Sequence, residues 1–186
     1  MDTSLGSAKI MFMPQANRLN LPTASEKQQI ENKDIWNGSR SAESADFFTL
    51  GYTGRKLTTI IDALKAHGVH TLVDIRRNPV SMYRPELSKS NLARILSQHG
   101  ITYVHLPELG VPRDIRAKAI ETGTRDVIWD WYDNVLESFL GGNLHYILNG
   151  FEYPVALMCT EIDPHECHRH RLSLALEKMG MRGFEI

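Results

Sequence analysis

The chain has 186 residues, 42% of them hydrophobic, with 21 basic and 22 acidic side chains and a formal net charge of −1. That is apolar material enough for one ordinary core, and the balanced charge excludes a global positive field able to hold nucleic acid or a membrane by counterion release, so any anion site has to be local. Two cysteines exclude a disulfide framework, no apolar run approaches the roughly 20 residues of a membrane span, and the patch from Ile10 to Met13 is too short for a signal-peptide core, all of which fits a cytoplasmic protein with no membrane partner.

Residues 1–45 are rich in Ser, Asn, Gln and Lys, and their apolar residues recur at neither the helical nor the strand period. Such a segment buries too little surface to offset its ordering entropy, which predicts a flexible N-terminal tail followed by a single α/β domain over residues 46–186. Within the tail, residues 23–34 can form a short polar helix and Trp36 can dock on the domain. At Asp46 the pattern changes. Phe47-Phe48-Thr49-Leu50 reads as a strand ending in the glycine turn Gly51-Tyr52-Thr53-Gly54-Arg55, and Leu57, Ile60, Ile61 and Leu64 follow at helical spacing up to Gly68. A second strand from Val69 to Ile75 empties into Arg76-Arg77-Asn78-Pro79, and Ser88 or Ser90 can cap the helix whose buried face is Leu92, Ile95 and Leu96. Ile101 to Leu106 is the third strand. A helix from about Arg113 to Glu121 comes next, then one marked by Trp129, Tyr132, Val135, Leu136 and Phe139 and stopped by Gly141-Gly142. The run Pro154 to Cys159 is the fourth strand, and Gly183 to Ile186 is suited to a short last one.

Strands alternating with helices predict a largely parallel sheet flanked by helices, because parallel neighbours need a crossover and each crossover here is helical. Ligands of such sheets bind outside the carboxyl ends of the strands. The polar residues fall there: Thr53 and Arg55 after strand one, Asp74 and Arg76 after strand two, His105 and Glu108 after strand three, and Cys159, Glu161 and a His-Cys-His turn after strand four. Together they are expected to form one rim.

Both cysteines lie in the last of these segments. Asp163, Pro164 and Glu166 have the form of an N-cap, a first-turn proline and a capping-box glutamate, which starts the helix at Pro164 and presents His165, Cys167 and His168 beside Cys159. On that helix Cys167 points away from the core stripe of Leu172, Ala175, Leu176 and Met179, while His165 and His168 point with it. Three chemistries fit. Cys159, His165, Cys167 and His168 can hold a divalent metal, although there is no C-x-x-C spacing. Cys159 can act as a nucleophile near a helix N-terminus, although the loop is not a C-x5-R phosphate cradle, since position 165 is His. A Cys159–Cys167 disulfide can serve as a redox switch. The plain alternative is a small buried Cys at a strand end and histidines satisfied by carboxylates.

Arg76, Arg77 and Arg84, interleaved with Tyr83, form an anion-binding loop candidate with an aromatic face for a base. Arg76 leaves the strand at the ligand edge and Arg77, by alternation, points elsewhere; the competing reading pairs one arginine with Asp74 or Glu86. Asp74 can be a general base or orient His168, Glu161 is the second carboxylate able to move a proton, and Glu108 is a third. The glycines at 51 and 54 suit a tight turn as well as a cofactor loop. Trp129, Trp131 and Tyr132 read as core and helix-partner surface.

The chain resembles the DUF488 family, small bacterial and archaeal proteins with no assigned function. The resemblance covers Phe47 to about Met179 and rests on Leu50-Gly51-Tyr52-Thr53-Gly54-Arg55, on Leu72-Val73-Asp74-Ile75-Arg76-Arg77-Asn78-Pro79, on Tyr103-Val104-His105-Leu106-Pro107-Glu108-Leu109-Gly110, and on Leu157-Met158-Cys159-Thr160-Glu161 with Cys167-His168-Arg169. It implies a Rossmann-like α/β fold with these motifs around one pocket. The expectation is an enzyme acting on a phosphorylated or nucleotide-like ligand, or on nucleic acid. Asp74, Cys159, Glu161 and His168 are its reactive groups, and Thr53, Arg55, Arg76, Arg84, His105, Glu108 and Arg169 its ligand contacts. The alternatives are a binding module without catalysis and a metal-binding or redox-sensing Cys-His protein.

Overall fold

A computed structural model describes residues 42–140 and 148–186, which fall within one compact unit, Ser39–Ile186. Five strands, β1 (Phe47–Gly51), β2 (Thr71–Asp74), β3 (Thr102–His105), β4 (Val155–Cys159) and β5 (Gly183–Glu185), form an all-parallel sheet in the order β3-β2-β4-β1-β5. The helices are α1 (Leu57–Ala66), α2 (Lys89–Ser97), α3 (Arg113–Thr122), α4 (Asp126–Leu140) and α5 (His168–Lys178). The fold is therefore α/β, as the alternation predicts. The tail segment, with its polar helix and Trp36, and the Gly141-Gly142 stop after α4 lie outside the described residues. Among the described residues no helix is long and apolar enough to cross a membrane.

Strands β1, β2 and β4 are buried along their whole length, as strands covered on both faces have to be. Alternation then decides which helices each residue meets. Phe48, Leu50, Leu72, Ala156 and Met158 pack with Ile60, Ile61 and Leu64 of α1 and Leu92 and Leu96 of α2. Phe47, Val73, Val155, Leu157 and Cys159 pack with Ile115 of α3, Tyr132 of α4, and Leu172 and Leu176 of α5. Each fully buried Leu, Ile or Phe contributes about 1.5–3 kcal/mol. The chain runs outward from β1 to β2 to β3 with its helices on one face, then reverses to β4 and β5 with its helices on the other, the arrangement that right-handed crossovers impose. The crevice of such a reversal lies at the carboxyl ends of the strands where the loops part.

Two glycines mark where backbones cross at that edge. A Cβ on Gly51 would overlap the carbonyl of Glu161, and one on Gly110 would overlap the backbone of Arg77. Gly51 is thus a packing glycine that lets the loop after β4 lie across the end of β1, and Gly54, at φ 76°, is a turn glycine.

The entry to α5 differs from the sequence expectation. Asp163 does accept from the amide of His165, at 2.8 Å, but the turn it caps is a single 3-10 turn, Pro164–Glu166. Cys167 then adopts an extended conformation (φ −122°, ψ 140°) and is itself the N-cap of α5, its sulfur accepting from the Arg169 amide at 3.5 Å. Because Cys167 stands outside the helix, the wheel does not apply to it: its side chain is turned inward and is 1% exposed. His165, placed by the wheel on the core stripe, is exposed for the same reason.

Gly51→Ala is expected to cost about 1–3 kcal/mol through forced backbone displacement, measured by denaturant unfolding. Gly150→Ala, where a Cβ would meet open space, is the control and should leave the midpoint nearly unchanged.

Candidate metal centre

Alternation divides the predicted rim between the two faces of the sheet. On the α1–α2 side, Asp74 is fully buried and accepts from the Arg76 amide at 3.0 Å, from Arg76 Nε at 2.9 and 3.0 Å, from Arg76 Nη2 at 2.6 Å and from the Tyr103 hydroxyl at 2.6 Å. Arg76, 4% exposed, also donates from Nη2 to the Leu87 carbonyl at 2.9 Å and from Nη1 to the Tyr52 hydroxyl at 3.3 Å, and its guanidinium lies 5.1 Å from the Tyr52 ring centroid. Burial works against its charge, but Asp74 more than restores it, so its pKa is raised. Burial, reinforced by the Asp74 carboxylate, pushes Tyr103 up. The pair is thus closed on itself, and Asp74 does not orient His168; that task falls to a backbone carbonyl.

The other ligand-contact candidates are held as follows. Thr53 Oγ1 donates to the Thr160 carbonyl at 2.6 Å, and Arg55 to the Ile186 carbonyl at 2.7 Å. Arg84 pairs with Glu86 at 3.0 Å and reaches the Tyr52 carbonyl at 3.3 Å. His105 Nε2 donates to the Arg76 carbonyl at 2.8 Å, which leaves Nδ1 to accept from Lys89 at 3.4 Å. Arg77 is exposed and touches the Pro107 carbonyl at 3.2 Å, and Glu108 is exposed in the Pro107–Leu109 turn. Arg169 is fully buried and spends its guanidinium on the Glu161 and Ile162 carbonyls and on Glu185.

On the opposite face, the donor atoms of Cys159, Glu161, Cys167 and His168 all lie within 4.8 Å of one another. Cys159 ends β4 and is fully buried; its thiol donates to Glu161 Oε2 at 3.2 Å. His168, the first residue of α5, is 2% exposed. Its Nε2 donates to the Ile75 carbonyl at 3.3 Å, so Nδ1 carries the lone pair; Nδ1 lies 3.9 Å from Cys167 Sγ, and Cys159 Sγ lies 3.8 Å from both ring nitrogens. The Tyr132 ring packs edge-on against the imidazole at 5.1 Å and is itself held by a 2.9 Å hydrogen bond from its hydroxyl to the Leu109 carbonyl.

The two sulfur–Nδ1 separations, 3.8 and 3.9 Å, lie near those of one tetrahedral ion. Metal–sulfur bonds of about 2.3 Å and metal–nitrogen bonds of about 2.0 Å put sulfur and nitrogen about 3.6 Å apart and two sulfurs about 3.8 Å apart. Two thiolates, an imidazole and a carboxylate suit a zinc-type ion, and the imidazole already has the outer hydrogen bond that fixes a metal-binding tautomer. Burial opposes ionisation of Glu161, but hydrogen bonds from backbone and thiols outweigh it and lower its pKa. Burial, with Cys159 beside it, pushes the Cys167 thiol up; a divalent cation would reverse this, because coordination favours the thiolate.

The structure therefore brings Cys159, Cys167 and His168 together as the sequence suggested, with Glu161 in place of His165. The His165 ring instead packs on His170 at 4.5 Å. Sequence reasoning did not identify Tyr52, Tyr103, Tyr132 or the Ile75 carbonyl as parts of the edge. Tyr52 and Tyr103 stand inside the quoted motifs, which was a usable signal; a backbone carbonyl leaves none.

Residues 56–176 match the family model described as Domain of unknown function DUF488. No curated protein and no solved structure matches the chain.

Arg76→Ala leaves a fully buried carboxylate without its partner and is expected to cost about 3–5 kcal/mol, whereas Arg77→Ala should stay within about 0.5 kcal/mol. Chemical denaturation checks both. An Arg76→Ala protein of unchanged stability would return that side chain to the role of a ligand contact.

Proposed function

The chain belongs to the DUF488 family, and from the chemistry at its sheet edge we propose that it is a metalloprotein, holding one divalent zinc-type ion on Cys159, Cys167, His168 and Glu161 and using it on a ligand that enters at that edge. The observation that carries this is the convergence, from a strand end, a loop and a helix start, of two thiols, an imidazole and a carboxylate within 4.8 Å. Three of the four are almost wholly buried. Without an ion these groups partner one another and the backbone; an ion would hold both thiols as thiolates beside the carboxylate. The place supports action on a ligand, since the carboxyl edge of a parallel sheet is where such folds bind. A bound ion would supply Lewis-acid chemistry. Cys159, Cys167 and His168 would hold and orient it, and Glu161 is the carboxylate placed to take a proton.

A phosphorylated or nucleotide-like ligand remains the proposed class, with its anion met by the exposed Arg77 and by the half-buried Arg84, which would turn from Glu86, rather than by the buried Arg76 and Arg169. One observation favours a second reading, a nucleic-acid contact: on the loop after β2, Tyr83 is 97% exposed and Met82 85%, and the same loop carries the exposed Arg77. An exposed aromatic face is the element on which single-stranded bases stack, and an exposed arginine of the same loop can meet the phosphate.

The purified full chain should carry about one equivalent of metal by atomic spectroscopy, since the four donors converge on a single position. Cys159→Ser and Cys167→Ser should each lose it, and a chelator should lower the melting temperature of the parent but not of the variants. A parent that neither carries nor takes up zinc removes this reading. For the second, Tyr83→Ala should weaken binding of a labelled single-stranded oligonucleotide by about 1–3 kcal/mol, and Arg77→Ala should reduce the salt slope by about one. If the parent shows no oligonucleotide binding at low salt, the loop is not a nucleic-acid contact.

A further inference from the structure

The four donors are not held alike. Cys159 is anchored by its strand, its carbonyl accepting from the Tyr52 amide at 3.3 Å. Cys167 is fixed as the cap of α5 by the Arg169 amide at 3.5 Å. His168 is fixed on both sides, by the Ile75 carbonyl at 3.3 Å and by the edge of Tyr132. All three are at most 2% exposed. Glu161 is different. It stands in the loop after β4 and is partly exposed. Its carboxylate accepts from the Cys159 thiol at 3.2 Å, whose proton departs when a metal binds.

The backbone of Glu161 is nevertheless held tightly. Its carbonyl accepts from Arg169, as does that of Ile162 at 2.9 Å, and Gly51 lies directly beneath it. These contacts hold the main chain without involving the carboxylate. Glu161 is partly exposed, so a side-chain rotation that moved the carboxylate out of the donor position would leave these main-chain contacts in place. A carboxylate oxygen is also the hardest donor of the set, and a zinc-type ion favours thiolate and imidazole. Two thiolates and one imidazole with an open fourth position is a donor set of catalytic zinc, whereas a fourth permanent protein ligand closes the site.

Resting on the metal reading above, we propose that Glu161 is the displaceable ligand of the centre: Cys159, Cys167 and His168 Nδ1 retain the ion, and the carboxylate yields its position to an incoming anionic or oxygen-donor group. That group enters from the side on which Glu161 is exposed. The displaced carboxylate then stands beside it, as an acceptor for its proton. The ligand class follows: a molecule presenting a carboxylate, phosphate or hydroxyl oxygen that reaches the ion by replacing one side chain.

The test uses the full chain loaded with cobalt(II), whose visible bands report its ligands, with azide as the competing anion. Glu161→Gln and Glu161→Ala should both retain one equivalent of cobalt, while Cys159→Ser, Cys167→Ser and His168→Ala should lose it. Azide should perturb the bands of the parent weakly and those of Glu161→Ala at least tenfold more tightly, because no carboxylate competes. If both Glu161 variants lose cobalt as completely as the cysteine variants while keeping the parent's circular dichroism, or if azide affinity is unchanged in Glu161→Ala, Glu161 is not a displaceable ligand and this inference is overturned with the metal reading intact. If the parent binds no cobalt at all, the metal reading itself fails.

Discussion

The edge of this sheet depends on one buried cation. Arg169 is fully buried, and its guanidinium ties three separate pieces of chain together: the carbonyls of Glu161 and Ile162 in the loop after β4, and the carboxylate of Glu185 on β5. Glu185 in turn takes the hydroxyl of Thr49 from the neighbouring strand β1. The Arg169 amide donates to the sulfur of Cys167, the N-cap of α5. The same residue therefore sets the path of the loop that carries Glu161 and holds the cysteine at the start of α5. A buried guanidinium without these acceptors would be strongly destabilising, so the loop has little freedom to depart from its path. Paired as it is with Glu185, the side chain has its pKa raised even though burial alone would lower it.

The second organising constraint is the period of two along a strand. Asp74 and Cys159 both end inner strands, yet one faces α1 and α2 and the other faces α4 and α5. Groups that read in sequence as a single rim are therefore two environments separated by the sheet. On one side is an ion pair closed by Tyr103, Tyr52 and the Leu87 carbonyl; on the other is the cysteine and histidine cluster. The two sides still communicate. The Tyr52 hydroxyl accepts from Arg76 and from Thr160, each at 3.3 Å, and Thr160 lies between Cys159 and Glu161 in sequence. The Ile75 carbonyl that orients His168 lies between Asp74 and Arg76. Placing the first environment correctly thus helps to place the second.

The start of α5 shows how a sound local signal can lead to a wrong local conclusion. Asp163, Pro164 and Glu166 have the residue types of a helix start, and Asp163 does cap. The turn it caps stops at Glu166, and one extended residue, Cys167, resets the helix. What favours the reset is tertiary: it turns a small apolar thiol into the core beside Leu172 and Leu176, and it aims His168 at the Ile75 carbonyl. A helix running without interruption from Pro164 would leave Cys167 on the solvent side.

By itself, the sequence determined the strands, the helices and the parallel sheet, because these follow from hydrophobic period and from turn residues, properties of neighbours a few positions apart. It also contained the four motifs, and with them Cys159, Cys167 and His168 as a group. Only the tertiary structure decided that Glu161 and not His165 completes the cluster, that Arg76 and Arg169 are consumed in ion pairs and carbonyl contacts, and that Tyr132 and the Ile75 carbonyl set the imidazole. Each of these depends on which chain segments cross at the sheet edge. Strand order β3-β2-β4-β1-β5 brings residue 75 beside residue 168 and residue 51 beneath residue 161, and no pattern among sequence neighbours encodes a contact across about a hundred residues.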